Sequence, residues 1–122
     1  MNGYEYGIVL EVINHLPPDI KSWAIEVFMN GRVQMWDSQI TYWNPATQRS
    51  ETMYTDYHKD TNTIHIWSGN LRRSFIQILT SWCHESVHAL TDKHHTNEGN
   101  TAADADFQNA VGACRQASIP FN

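Results

Sequence analysis

The sequence predicts a single α+β domain, in which a small antiparallel sheet packs on one side of a central helix with further helices at both ends of the chain. Apolar residues at helical spacing occupy both ends of the chain, and short strand-like segments bounded by turn residues fill the middle. A length of 122 residues suits one domain with a modest core. No repeat or linker-like composition divides the chain, so we expect residues 1–122 to form one domain.

Two helices are predicted at the N-terminal end. Residues 4–16 carry apolar side chains at helical spacing, although their alternation also allows a strand. Pro17-Pro18 ends this segment and opens the next one, because proline is tolerated in the first turn of a helix. Asn30-Gly31 fits the C-terminal cap of the second helix, with a hairpin turn as the alternative.

The middle of the chain reads as strands. Residues 32–43 are rich in β-branched and aromatic residues, and residues 53–57 and 63–67 form two shorter segments of the same kind. Residues 44–51 are polar and begin with Asn-Pro, which predicts a loop.

A long central helix is predicted from about Leu71 to about Lys93, with Ser68 or Asn70 as its N-cap. The polar residues 94–100 then form a loop. Thr101 and Asp104 have the spacing of a capping box and open a final helix, although the box normally has Glu or Gln at its second position.

The central helix carries the sequence His84-Glu85-Ser86-Val87-His88. Two histidines one turn apart project from the same face of a helix and can bind one Zn²⁺ ion. Glu85 lies about 100° around the helix from His84, where its carboxylate reaches a water on the metal without ligating the metal. The opposite face of the helix is apolar, so the sequence predicts a zinc site on a polar helix face.

These residues resemble the zincin metallopeptidases, in particular the very small single-domain kinds of bacteria and phages. The resemblance covers roughly residues 50–117, from the strand at 63–67 through the zinc helix to the helix after Asn100. It implies a zincin-like fold, a Zn²⁺ cofactor and a peptide or protein substrate. It also implies hydrolysis in which Glu85 activates a zinc-bound water.

A catalytic zinc takes a third protein ligand, and the candidates all follow His88. His94 has the spacing of the longer metzincin motif, but Thr91 stands where that motif has a glycine at a sharp turn. Glu98 corresponds to the downstream acid of gluzincin-like proteins and needs no such turn, so it is the preferred third ligand. The remaining candidates are His95, Asp104 and Asp106.

Composition limits the other functions. The net charge is −5 and no basic patch is visible, which argues against a nucleic-acid partner. No apolar stretch approaches the ~18–20 residues of a membrane span, and no secretory signal is seen, so we expect a cytoplasmic protein with no membrane partner. Cys83 and Cys114 are then expected to be buried free thiols, with a disulfide as the alternative.

A second function belongs to a different class. The chain is short for a peptidase cleft, so it is alternatively a zincin-fold binding or inhibitor module, for example phage-encoded, that keeps its metal for structure only. Four protein ligands would indicate that module, and three would indicate the enzyme. Tyr57, His58 and His65 are expected to be exposed hairpin residues, or else to flank the cleft and stabilise an oxyanion.

Overall fold

The computed structural model describes residues 1–45, 47–95 and 101–118. The fold is α+β, as predicted, with helices at both ends of the chain and strands between them. No helix among the described residues combines the length and apolar character that crossing a bilayer requires. In chain order the elements are α1 (Gly3–Asn14), α2 (Pro18–Met29), β1 (Val33–Trp36), β2 (Ile40–Asn44), β3 (Arg49–Met53), β4 (Thr55–His58), β5 (Thr63–Trp67), a 3-10 helix (Ser68–Arg72), α3 (Phe75–Leu90) and α4 (Ala102–Ala117).

Both N-terminal helices form where the apolar spacing predicts them. The side chain of Asn2 accepts a hydrogen bond from the backbone N–H of Glu5, and the Glu5 carboxylate accepts one from Asn2 N–H. This capping box fixes the start of α1 as a helix rather than a strand. At the end of α2, Asn30 is the C-cap and Gly31 adopts a φ of 69°, which glycine tolerates without strain.

The strands form two sheets rather than one antiparallel sheet. β2 and β3 make a separate antiparallel hairpin, while the larger sheet has the order β1-β5-β4. In that sheet β4 is antiparallel to β5, but β1 is parallel to it, so the prediction of a wholly antiparallel sheet was wrong. Residues 37–62 separate β1 from β5, which is enough chain for the crossover that a parallel pair needs.

Strand β3 lies partly in the segment predicted as a polar loop. Its Glu51 carboxylate accepts hydrogen bonds from the side chains of Asn44, Tyr42 and Arg49, at 3.0, 3.1 and 3.1 Å. The hydrogen bond from the Asn44 amide is the main cause that lowers the pKa of Glu51 to about 2, and the hydrogen bond from Arg49 is the second cause. The hairpin is therefore held by a polar network, which hydrophobic alternation does not reveal.

Helix α3 is shorter at both ends than predicted. Ser74, and neither Ser68 nor Asn70, is its N-cap, and Gln77 completes a capping box. The helix ends at Leu90 rather than near Lys93, because Thr91 is extended. The Thr91 hydroxyl donates to the carbonyl of Val87 at 2.6 Å and accepts from Lys93 N–H at 3.1 Å, so one threonine satisfies backbone groups on both sides of the break.

The core surrounds the apolar face of α3. Leu79 and Trp82 are fully or almost fully buried, and the indole of Trp23 on α2 meets Trp82 edge-on at 6.2 Å. Helices α1 and α2 cover this face, and the inner side of β5 adds Ile64 and Ile66. The polar face of α3 is thereby turned toward β4 on one side and α4 on the other.

Helix α4 is tied covalently to α3. Cys83 and Cys114 form a disulfide with their Cα atoms 5.7 Å apart, so the expectation of two free thiols was wrong. Cys83 lies on the side of α3 that packs against α4, and a row of buried residues on α4 packs against this side. That row consists of Asp104, Phe107, Val111 and Cys114.

Removing the disulfide is expected to lower the free energy of unfolding. The two cysteines are 31 positions apart, a loop for which the loss of cross-linking costs about 3.7 kcal/mol. We expect Cys83→Ala/Cys114→Ala to unfold at a lower urea concentration than the oxidised wild type. Reductant should shift the wild type and leave the variant unchanged; equal midpoints for variant and wild type would contradict the structural role.

Candidate metal centre and cleft

Three histidines come together beside the polar face of α3. His84 and His88 project from the helix one turn apart, and His95 reaches them from the segment that follows it. One ligand atom from each residue lies within 4.8 Å of the others, and each pair of rings has its centroids 5.0 Å apart. The three side chains are half-buried, so the cluster sits at the wall of a cleft rather than on open surface.

The end of α3 at Thr91 brings His95 to the pair. Because Thr91 is extended, the helix ends within one turn of His88. The chain then turns back toward the two helical histidines without a glycine or a left-handed residue. His94 lines the cleft but is not a member of the three-histidine cluster. The sequence had placed His95 among the lesser candidates, and it had predicted that the helix runs on to about Lys93.

The other candidate third ligands have different positions. Glu98 lies outside the described residues, so its role as a ligand stays a prediction. Asp104 is buried at the start of α4, where its carboxylate accepts hydrogen bonds from Thr101 and completes the capping box. Asp106 forms an ion pair with Lys93 at 2.7 Å.

A phenylalanine forms the floor of the cluster. The fully buried ring of Phe107 on α4 contacts all three imidazoles, with centroid distances of 4.9, 4.7 and 4.8 Å to His84, His88 and His95. Aromatic packing of this kind restricts the rings to a few orientations. Phe107 therefore holds three donors together although it offers no donor itself.

The environment keeps the helical histidines uncharged. Burial lowers the pKa of His84 to about 4, with further lowering by the neighbouring His88 and His95. Burial is also the main cause that lowers the pKa of His88 to about 4, and the electrostatic effects of His95 and His94 lower it further. A neutral imidazole is the form that ligates a metal, so both residues are ready to bind at neutral pH.

Glu85 is buried beside the cluster, with only 3% of its surface exposed. Its Oε2 atom accepts a hydrogen bond of 2.8 Å from the hydroxyl of Thr55 on β4. Burial raises the pKa of Glu85 to about 7; the Thr55 hydrogen bond opposes this shift and the charge of Asp56 adds to it. A carboxyl group with a pKa near neutrality is suited to exchange protons with a bound reactant.

A cleft of about 680 Å³ opens in front of these residues. Strand β4 forms one wall, α3 forms the floor, and the β2–β3 hairpin contributes Tyr42 and Met53. The guanidinium of Arg73 lies over the ring of Tyr54 at 3.9 Å and adds a positive charge to the wall. The sequence had singled out neither Thr55 nor Phe107, because neither belongs to a motif and both act through contacts distant in sequence.

The hairpin residues named from the sequence separate into two groups. Tyr57 lines the cleft, where its hydroxyl donates to Asn62 Oδ1 at 2.6 Å. His58 and His65 are not among the residues that line the cleft and instead lie together with Asp56.

The donor set fits a zinc ion. Three imidazoles leave a fourth position open, which is the arrangement of catalytic zinc sites, and tetrahedral bonds of about 2.0–2.1 Å need only small ring movements within the 4.8 Å cluster. No protein-family model, curated protein or solved structure matches this chain. We therefore infer the function of the chain from the geometry of the site.

Histidine variants will distinguish the candidate third ligands. We expect His95→Ala to weaken Zn²⁺ binding by on the order of 100-fold, because it removes one of three donors, whereas the neighbouring His94→Ala should have little effect. Competition with a chromophoric chelator measures both affinities, and Glu98→Ala is measured in parallel. A large loss in Glu98→Ala or His94→Ala, with none in His95→Ala, would refute the role of His95.

Glu85→Gln is expected to stabilise the metal-free protein at high pH. Because the folded pKa of Glu85 lies above its ordinary value of 4.5, ionisation makes the folded state less stable as pH rises from about 4.5 through about 7. The shift corresponds to on the order of 3 kcal/mol, present in full only above pH 7. Urea unfolding in the presence of chelator should show the variant gaining stability at pH 8 and not at pH 4. The exposed Glu26→Gln serves as control; a Glu85→Gln effect independent of pH would contradict the burial of a charge.

Proposed function

We propose that this protein is a zinc-dependent hydrolase that cleaves peptide bonds, with a zincin-like arrangement of its site. The observation that carries the proposal is the buried Glu85, one residue from His84, at the wall of a cleft that also holds His88 and His95. A carboxyl group suited to act as a general base and three imidazoles thus face the same open space. A single zinc ion with three protein ligands beside a general base is a combination that zinc hydrolases use.

The residues of the chain have distinct parts in the proposed reaction. His84, His88 and His95 would hold the Zn²⁺ ion, which would supply a Lewis acid for the scissile carbonyl and for the attacking water. Glu85 accepts the proton of the attacking water and passes it to the leaving amine. The Thr55 hydroxyl, bonded to Glu85 Oε2, orients the carboxylate, and burial keeps the proton affinity of Glu85 close to the working pH.

A peptide substrate is favoured by the position of β4. This strand is an edge of its sheet: among the described residues it pairs with β5 alone, and its other side borders the cleft. Trp67 N–H donates to the carbonyl of Tyr54, so alternation along the ladder turns the backbone groups of Thr55 and Tyr57 away from β5. An extended peptide is the ligand that such backbone groups bind, by adding a strand beside the catalytic carboxylate.

The alternative of a binding module with a structural metal has less support. A structural zinc is enclosed by four protein ligands, whereas the described residues supply three that border a cleft. A purely structural site also has no use for a buried carboxylate that lowers the stability of the fold. We therefore propose catalysis rather than metal-dependent folding as the purpose of the site.

The proposal is tested with Glu85→Gln, which keeps the shape of the side chain and removes the base. We expect the zinc-loaded variant to cleave a peptide library at least about 100-fold more slowly than the wild type, as read by mass spectrometry. Zinc content is measured on the same samples, and Glu26→Gln on the surface of α2 is the matched control. If Glu85→Gln retains zinc and the wild-type rate, or the zinc-loaded wild type cleaves no peptide in the library, the proposed function is wrong.

A further inference from the structure

A second group of metal-ligand side chains lies on the β4–β5 hairpin. Asp56 and His65 are direct cross-strand partners, and His58 follows Asp56 by two positions along β4. Because side chains alternate along a strand, all three project from the same face of the sheet. Thr55 and Tyr57 occupy the alternate positions of β4, and the Thr55 side chain bonds Glu85 of α3. The hairpin thus carries Asp56, His58 and His65 on the face opposite to Thr55 and Tyr57.

The three side chains converge closely. One ligand atom from each lies within 4.8 Å of the others, the same limit that the α3 cluster meets. Asp56 Oδ2 is 3.0 Å from His58 Nε2, and the rings of His58 and His65 have centroids 4.8 Å apart. Of the seven histidines in the chain, only His15 and His94 lie outside the two clusters.

The surroundings hold His65 in a form that can ligate. Trp36 on β1 stacks on its ring with centroids 4.2 Å apart and an angle of 24°, which fixes the plane of the imidazole. Burial, followed by the charge of His58, lowers the pKa of His65 and favours the neutral ring. Its Nδ1 atom is buried and has no hydrogen-bond partner in the described chain. A buried polar atom in that condition calls for an explanation, and a bound ion is one.

We propose that Asp56, His58 and His65 form a second binding site for a divalent transition-metal ion. Two imidazole nitrogens and one carboxylate oxygen suit ions of the zinc, cobalt and nickel class and do not suit Mg²⁺ or Ca²⁺, which prefer oxygen ligands. Three ligands on a half-exposed face leave positions open to water. None of its members belongs to the three-histidine cluster, so metal binding here can be measured without any hydrolytic activity.

The second site also borders the first. Asp56 lines the cleft, and its negative charge acts on Glu85 and His88. A cation bound by Asp56 would compensate this charge at the edge of the cleft. The two sites are thus connected by one carboxylate while their histidines are separate.

Metal stoichiometry tests the proposal on the full, oxidised chain, in which the described cysteines are paired and offer no thiolate. Equilibrium dialysis against Zn²⁺, with metal content measured by mass spectrometry, should give two ions per wild-type chain. His84→Ala/His88→Ala should retain one ion. Adding His58→Ala to that double variant should weaken the remaining site at least about ten-fold, because it loses one of three ligands. His58 is exposed, so this change does not disturb the core.

Matched variants separate the site from general surface binding. In the same double-variant background, His15→Ala and the hairpin change Asp60→Asn should leave one ion bound, whereas Asp56→Asn should weaken it as His58→Ala does. Co²⁺ titration followed by visible absorption provides a second readout that reports on the ligand geometry. The proposal is overturned if His84→Ala/His88→Ala binds no ion, or if His58→Ala and Asp56→Asn bind as tightly as the two controls. Loss of peptide cleavage in Glu85→Gln has no bearing on any of these outcomes.

Discussion

The contact of Phe107 with His84, His88 and His95 is the interaction on which the candidate site depends. Two of these histidines share a helix, which fixes their spacing, but the third arrives on an irregular segment and needs an external surface to hold it. Helix α4 provides that surface, and the disulfide next to His84 holds α4 in place. A side chain without metal-binding chemistry thus decides whether three donors converge.

The site buries ionisable side chains that would be more stable in water. A carboxyl group and two imidazoles lose hydration on burial, and the pKa values of Glu85, His84 and His88 shift toward their uncharged forms. The apolar side of α3 packs against α1, α2 and β5, and this packing offsets the free-energy cost of the buried polar groups. The offset is needed because the net free energy of folding is small. The same helix therefore stabilises the fold with one face and destabilises it with the other, as is typical of functional sites.

The sequence predicted what is encoded locally. The two N-terminal helices, strand β5, the helix bearing His84 and His88, and the capping box of Thr101 with Asp104 all form where their spacing indicated. Prediction from the sequence failed where contacts between residues distant in the chain determine the structure. Strand β3 depends on a polar network around Glu51, and the parallel pairing of β1 with β5 depends on the whole sheet. The helix was predicted to continue past Thr91 to about Lys93, although a threonine that bonds the backbone on both sides can end a helix, and the approach of His95 to the histidine pair depends on that end.

The disulfide closes a covalent ring that contains every residue from Cys83 to Cys114, including the segment that carries His95. A single cut anywhere between the two cysteines opens that ring but leaves both fragments joined through sulfur. Such a nick would release no fragment from the oxidised protein, and α4 with its Phe107 would stay attached to α3. A chain nicked within this ring would therefore look intact in a non-reducing gel and separate into two pieces only when thiols are added.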